Sequence, residues 1–463
     1  MKTQYIKKVL ASASVAFVAL SSVAQTTSSG YFLEGFNQRY QLNPAFAPER
    51  NVYLAVPALN NIQLGLNSNV GIKNFLYESK QHPGQLTTFM SRDVNRQDFL
   101  DNIPDMARMN MLLNMDMLSI GIGGEKGFTT FNVKIRNNED FGIPKSFFGF
   151  MKSALSTGEY SIQDLNANVT TYMEVALVHS RKIGENLRVG LGLKFLDGIE
   201  YADINIDQMD AVLGEMEWKV RTNGSLRVCV PGQEIKYNDE DKTIDLGEFN
   251  YETPSSYGFA VDLGAEYDMK DLVEGLKLSA SVTDLGMISW KNISHFATDN
   301  REFVTFDGFT DYDVMSDGGN DEADNLGDEL KGLVNLYDKG QGNESIALCG
   351  TIRAGAEYQF PFADWLSVGE LLTMRVGNYD YFETRTSVCL SPCGWFDFTA
   401  NAGYTSWGGV AGAMINLHPR GINFFLAVDG MAATVNRQYI PVDDVCINMS
   451  LGLSLAFGQK KDR

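Results

Sequence analysis

Residues 446–457 alternate strictly between two kinds of side chain. Ile447, Met449, Leu451, Leu453, Leu455 and Phe457 fall on one face, and Asn448, Ser450, Gly452, Ser454 and Ala456 on the other. Neighbouring side chains of an extended strand point to opposite faces, so this run has one apolar face and one small or polar face. The pattern recurs. In 187–195, Leu187, Val189, Leu191, Leu193 and Phe195 alternate with Arg188, Gly190, Gly192 and Lys194. In 257–267, Tyr257, Phe259, Val261, Leu263, Ala265 and Tyr267 alternate with Gly258, Ala260, Asp262, Gly264 and Glu266. In 276–283, Leu276, Leu278, Ala280 and Val282 alternate with Lys277, Ser279, Ser281 and Thr283. A period of two cannot be buried on one side of a helix, so the chain must fold as sheet.

Further runs of this kind lie at 51–57, 62–70, 116–122, 128–136, 170–180, 199–207, 217–230, 346–358, 366–377, 381–390, 394–404, 409–417 and 421–429. The set predicts about 14–16 antiparallel strands. Many are of the roughly 9–11 residues that a tilted strand needs to cross a bilayer. Arg188, Lys194, Asp262, Glu266, Arg353 and Glu357 sit mid-strand on the face opposite the apolar one. A soluble sandwich would expose that face to bulk water, whereas a barrel turns it to a hydrated lumen where charges pair. Periodicity alone fits both.

The N-terminus favours the barrel. Lys2, Lys7 and Lys8 precede an apolar stretch, residues 9–20, and Ser22-Val23-Ala24 resembles a cleavage site. This is the layout of a secretory signal, expected over residues 1–24. No later apolar run has the length of a spanning helix. All five tryptophans, Trp218, Trp290, Trp365, Trp395 and Trp407, fall at or next to expected strand ends, where indole favours the boundary between lipid and water. Connections at 268–275, 359–365, 391–393 and 418–420 are expected at one end of the barrel, the periplasmic one. Those at 231–256, 291–345 and 430–445 are expected at the other. Short turns on one side and long loops on the other are typical of outer-membrane barrels. The expectation is one all-β transmembrane antiparallel barrel over residues 51–463, in the cell outer membrane and surrounded by its lipid.

The net charge of −20 argues against a nucleic-acid partner, which needs clustered Lys and Arg. The five cysteines, Cys229, Cys349, Cys389, Cys393 and Cys446, are odd in number and irregular in spacing. Free thiols are expected, with Cys389 and Cys393 as the alternative pair.

Three segments invite a functional reading. Residues 299–329 are strongly acidic, and Asp317, Asp321 and Asp324 crowd Gly318-Gly319. Calcium favours such oxygen donors, but the spacing matches no EF-hand, and a solvated acidic loop is the simpler account. Residues 85–115 read as a loop with helical character. Met106, Met109 and Met111 cluster there, and methionine adapts to irregular apolar ligands, although a short helix across the barrel mouth is the ordinary explanation. The four histidines, His82, His179, His295 and His418, join no recognisable catalytic motif. No catalytic residue and no cofactor is assigned.

Tyr31-Phe32-Leu33-Glu34-Gly35 and Gln41-Leu42-Asn43-Pro44-Ala45-Phe46-Ala47-Pro48-Glu49-Arg50 open the mature chain. With residues 258–268, Ser281-Val282-Thr283-Asp284-Leu285-Gly286, Trp290 and Asn416-Leu417-His418-Pro419-Arg420-Gly421, they resemble an uncharacterised family of Bacteroidota outer-membrane barrels. Through Asn43-Pro44-Ala45 the chain is more distantly similar to FadL-type fatty-acid transporters and PorV-type secretion barrels. That resemblance implies that residues 25–50 fold into the lumen as a plug anchored by Asn43, Pro44 and Ala45. It also implies uptake or passage of a small apolar ligand, which the Met-rich segment, through Met106, Met109 and Met111, is expected to touch. The alternative is a non-transport surface barrel, either a shuttle or anchor for a secreted-protein partner or an adhesin.

Overall fold

The structure, a computed structural model, describes residues 27–460 apart from 58, 81–83, 125, 154–156, 215–216, 241, 250–255, 300, 302, 307–333, 378–380 and 431–444. The expected signal, residues 1–24, lies outside them.

Fourteen antiparallel strands close into a transmembrane barrel. The first wall strand comes in two pieces, Arg50–Ala55 and Ile62–Ser68. There follow Met106–Gly123, Gly127–Pro144, Gly158–Ile183, Leu187–Leu213, Tyr257–Asp268, Leu276–Thr298, Thr351–Gln359, Leu366–Arg375, Tyr381–Cys393, Phe396–Thr405, Gly408–Leu417, Asn423–Gly430 and Val445–Lys460. Each pairs with the next, and both pieces of the first pair with the last: Leu54 lies opposite Leu455, and Ile62 opposite Leu451. Closure removes the free sheet edges that lipid cannot hydrogen-bond.

The alternation read from the sequence sets the two surfaces. In the last strand Met449, Leu451 and Phe457 are exposed, while Asn448, Ser450 and Ser454 are buried inside. Leu191, Leu193, Phe259 and Leu263 likewise face out, and Lys194 and Asp262 face in. One end of the barrel has only short turns, such as residues 184–186 and 394–395, and the other carries every long connection. This grouping agrees with the one expected from loop lengths.

Several expectations are corrected. Residues 199–207 form no separate strand; they belong to Leu187–Leu213. Trp218–Cys229, expected as a wall strand, pairs with the far half of Leu187–Leu213 beyond the closed wall. The strands Gly158–Ile183 and Leu187–Leu213 are 26 and 27 residues long, roughly 85 Å of extended chain. They build an outer sheet that period-two reading divides into extra strands. Residues 85–115 are helical only at Arg96–Asp101, and the methionine cluster lies on the strand that starts at Met106.

Trp290, expected at a lipid boundary, is fully buried inside the barrel. The cause is a bulge. Val261 pairs with Leu285 but Leu263 pairs with Val282, so Asp262 faces two residues, Thr283 and Asp284. Below the bulge Leu278 faces out; above it Leu285 and Met287 do. The extra residue reverses the inward parity and turns Trp290 into the lumen. Trp365 and Trp395 do lie exposed beside the short turns. All five cysteines are unbonded.

Candidate functional site

Residues 27–49 run through the lumen and bond the wall on many sides. The backbone N–H and hydroxyl of Ser29 both donate to Asp429 Oδ1, at 2.6 and 2.5 Å. Asn401 Nδ2 donates to Ser29 Oγ at 2.6 Å. Gln41 Nε2 donates to Asp116 Oδ2 at 2.7 Å, and Lys134 Nζ donates to Gln41 Oε1 at 2.9 Å. Lys277 Nζ meets Glu34 Oε1 at 2.6 Å near the short-turn mouth. Between these anchors Tyr31, Phe32, Leu33, Phe36, Leu42 and Phe46 pack with Leu371, Met414, Phe425 and Ala427 of the wall. Burial pushes the Tyr40 hydroxyl well above its usual range, so it stays neutral and shares a 3.0 Å hydrogen bond with Ser119.

Asn43, Pro44 and Ala45 sit against the wall at one spot. Asn43 Oδ1 accepts from the Ala45 N–H at 2.9 Å, a local Asx-type turn. Its Nδ2 donates to the carbonyls of Ala265 and Ala280, both at 3.2 Å. A Cβ on Gly264 would collide with Asn43 Oδ1, and one on Gly190 with the Pro44 carbonyl group.

Toward the long-loop end lies an ionic cluster centred on Asp284. This residue has φ +63°, an unusual conformation outside glycine, imposed by the bulge. Its backbone N–H donates to Asp262 Oδ1 at 2.8 Å. Its carboxylate receives Lys194 Nζ at 2.6 Å and Arg136 Nη1 at 2.8 Å. Lys194 also meets Asp262 at 2.8 Å, and Arg136 meets Glu174 at 3.0 Å. Asp284, Asp262, Glu174 and Lys194 are buried and Arg136 nearly so, so each charge depends on its partners. The Arg136 contact reaches Asp284 across four strand intervals of the wall.

Beyond this cluster is a cavity of about 180 Å³. Tyr172, Tyr201, Ile288, Trp290, Ile346 and Leu348 give it an apolar side, and Arg136, Arg227, Arg375 and Asn138 a polar one. Trp290 and Tyr201 lie with ring centroids 5.5 Å apart. The indole N–H of Trp290 is buried without a hydrogen-bond partner among the described residues.

The wall has a seam between its first two strands. Ile62–Ser68 pairs with Val445–Lys460, but its backbone bonds toward Met106–Gly123 occur only at the two ends. There the Asp116 N–H donates to the Asn61 carbonyl at 3.0 Å, and the Asn69 N–H to the Arg108 carbonyl at 3.3 Å. On the lumen side Asn114 Nδ2 donates across the seam to Gln63 Oε1 at 3.0 Å. By strand parity Met109 and Met111 lie on the face opposite Asn110, Leu112 and Asn114, and they pack with Leu66 and Phe141, Met111 being buried. Met109 and Met111 thus lie on the outward face of the wall, and neither they nor Met106 lines the lumenal cavities. Asp317, Asp321 and Asp324 fall outside the described residues. Among the described residues no cluster of metal-ligating side chains occurs.

Residues 44–429 match the model of a family of unknown function, DUF5723. The chain belongs to the DUF5723 family. No curated protein matches its sequence. Among solved structures it is similar to the toluene transporter TodX of Pseudomonas putida, at 10% identity and a TM-score of 0.44 over 90% of this chain and 93% of that one. A FadL homologue of Pseudomonas aeruginosa gives 9% identity and a TM-score of 0.39 over 89% and 91%. The translocator domain of the autotransporter NalP of Neisseria meningitidis gives 7% and 0.36 over 95% and 100%.

This DUF5723 member holds its charge cluster in places that a period-two reading passes over. Lys194 and Asp262 stand out in the sequence as mid-strand charges. Asp284 does not, because it falls beyond the last regular alternation of its strand. Arg136 and Glu174 are visible only as polar residues among others; 148 residues separate Arg136 from Asp284, and only closure of the wall joins them.

Proposed function

We propose that this protein passes a small, largely apolar ligand across the outer membrane, with residues 25–50 as a plug. The observation that carries the reading is the cavity of about 180 Å³ beside Trp290 and Tyr201, apolar on one side and continuous in its lining with the ionic cluster through Arg136. An apolar ligand entering from the long-loop end gains by leaving water for that aromatic wall. The ionic cluster and the buried N-terminal segment oppose onward axial movement, since neither offers an apolar path. The unladdered seam supplies the alternative exit. A ligand leaving there slides past Met109 and Met111 into the lipid, which keeps both residues as ligand contacts on the outward face; Met106 stands at the head of the same strand.

Uptake of a small radiolabelled aromatic hydrocarbon into proteoliposomes tests this, using the full mature chain and a form lacking residues 25–50. Uptake above empty liposomes is expected, and it changes on deletion. Equal uptake by both forms and by empty liposomes refutes transport.

A second reading is a surface barrel that binds a secreted protein. It is favoured by the outer sheet built from the far halves of Gly158–Ile183 and Leu187–Leu213 with Trp218–Cys229. Affinity capture on the intact barrel, compared with a form whose outer sheet is shortened, distinguishes it.

A further inference from the structure

The connection between the first two wall strands folds into a small unit of its own. It comprises the helix Ile72–Phe75, the hairpin Leu76–Glu78 with Leu86–Thr88, and the helix Arg96–Asp101; the helix Lys145–Ser153 packs beside it. Its core holds Val94, Phe99, Ile103 and Phe148, with Phe75, Tyr77 and Phe89 packed against them. Two wall residues complete that core, Ala107 and Ile143, which are register partners. They share strand parity with Met109 and Phe141, on the face opposite Asn110 and Asp140, which pair within the barrel. The unit therefore stands against the outside of the wall, at the long-loop end of the seam, and does not cover the mouth.

The hairpin turns Tyr77, Phe89 and Phe75 toward this core. Its other face carries Leu76 and Leu86, paired with Thr88 and Glu78 respectively, with Ile72 and Met90 alongside. These four side chains are 37%, 67%, 40% and 39% exposed, against 45% and 54% for the lipid-facing Leu191 and Leu193. In a chain of net charge −20, residues 72–101 are balanced, with Lys73, Lys80, Arg92 and Arg96 against Glu78, Asp93, Asp98 and Asp101, and the neighbouring helix adds Lys145 and Lys152. The wall beneath the unit is apolar through Leu66, Met109, Phe141 and Ile143, and Lys73, Lys80 and Arg92 flank the exposed apolar side chains in the chain.

We propose that this unit is a membrane-surface foot. Ile72, Leu76, Leu86 and Met90 enter the acyl boundary of the outer leaflet, and Lys73, Lys80 and Arg92 meet the phosphates of anionic lipid. Apolar side chains with flanking basic residues bind an interface in this way. The foot fixes the height of the barrel and places lipid directly beside the seam. The proposal rests on the membrane-barrel reading and is independent of transport.

The test attaches an environment-sensitive fluorophore to L86C, L193C and D207C in turn. Each is made in the full mature chain with Cys349 and Cys393 replaced by Ser and reconstituted into vesicles containing brominated phosphatidylglycerol. Leu193 is the wall control, and Asp207, exposed on the outer sheet, the water control. Quenching at position 86 comparable to that at 193, with none at 207, is the expected result. Brominated phosphatidylglycerol should quench position 86 about twofold more than brominated phosphatidylcholine, a difference lost in K73E/K80E. A probe at 86 that stays as unquenched as that at 207, while 193 is quenched, overturns the foot alone. Loss of quenching at 193 as well overturns the foot together with the membrane barrel beneath it.

Discussion

Gly190 and Gly264 face each other across neighbouring wall strands, and the space their side chains would fill is taken by Asn43 and Pro44. The N-terminal segment is thus keyed into a notch that two glycines open in an otherwise continuous sheet. Glycine weakens a strand interior, and here it permits a close approach of backbone to backbone.

A methyl group at either glycine should therefore loosen the segment without opening the barrel. At Gly190 the obstruction is the Pro44 backbone, which cannot swing away as a side chain can. G190A is expected to cost about 1–3 kcal/mol at this contact. G264A should cost less, because the Asn43 amide can shift. Protease cleavage within residues 27–49 should become faster in both, with the heat-resistant mobility of the folded barrel on gels retained. Unchanged cleavage would mean the notch does not hold the segment.

Asn43→Ala removes three hydrogen bonds at once: the local turn to Ala45 and the two donated to Ala265 and Ala280. The expected loss is about 1–3 kcal/mol of docking energy. Hydrogen exchange of the Ala45 amide reports it directly; protection equal to wild type contradicts the assignment.

Asp284 is shared by Lys194 and Arg136, so D284A leaves each cation with one close carboxylate, Asp262 for Lys194 and Glu174 for Arg136. A loss of about 1.5–3 kcal/mol of barrel stability is expected from the two charge-assisted hydrogen bonds removed, read as a lower urea midpoint in detergent. D284N should fall between, since asparagine tolerates positive φ and still accepts one hydrogen bond. A D284A midpoint equal to wild type would show that the cluster is not structural.

The ion pair between Glu34 and Lys277 belongs to a different class. Both partners are partly exposed at the short-turn mouth, so water screens them. E34Q should cost no more than about 1 kcal/mol, and the effect should fade as salt rises. Proteolysis of the N-terminal segment at low and high ionic strength provides the comparison.

Trp290 should report cavity occupancy. With Trp218, Trp365, Trp395 and Trp407 replaced by Phe, its emission should shift on adding a small aromatic hydrocarbon. W290A should weaken that ligand about tenfold or more, the scale of losing a buried aromatic contact. Binding unaffected by W290A would move the ligand site elsewhere.

Much of the wall was legible because strand alternation is local. Leu191, Leu193 and Phe195 face lipid for the same reason that Lys194 does not, and four residues suffice to see it. The expectation for Trp290 rested on its place next to a strand end, and the bulge at Thr283 and Asp284 sets the parity that turns it inward. The methionines were grouped as a surface of one helix-like segment, but on a strand Met109 and Met111 share a face that Leu112 and Asn114 do not. Trp218–Cys229 alternates like a wall strand because it pairs like one, only beyond the membrane.

By itself the sequence determined that this chain makes a sheet of many alternating strands with one apolar and one polar face, since a period of two suits only an extended backbone, and its N-terminal signal and loop lengths favoured a closed barrel over a sandwich. Tertiary structure alone decided what meets inside: that Arg136 reaches Asp284, that Pro44 rests on Gly190, and that Trp290 lines a cavity. Those encounters depend on where the wall bulges and how it closes, and strand alternation carries information only from one residue to the next.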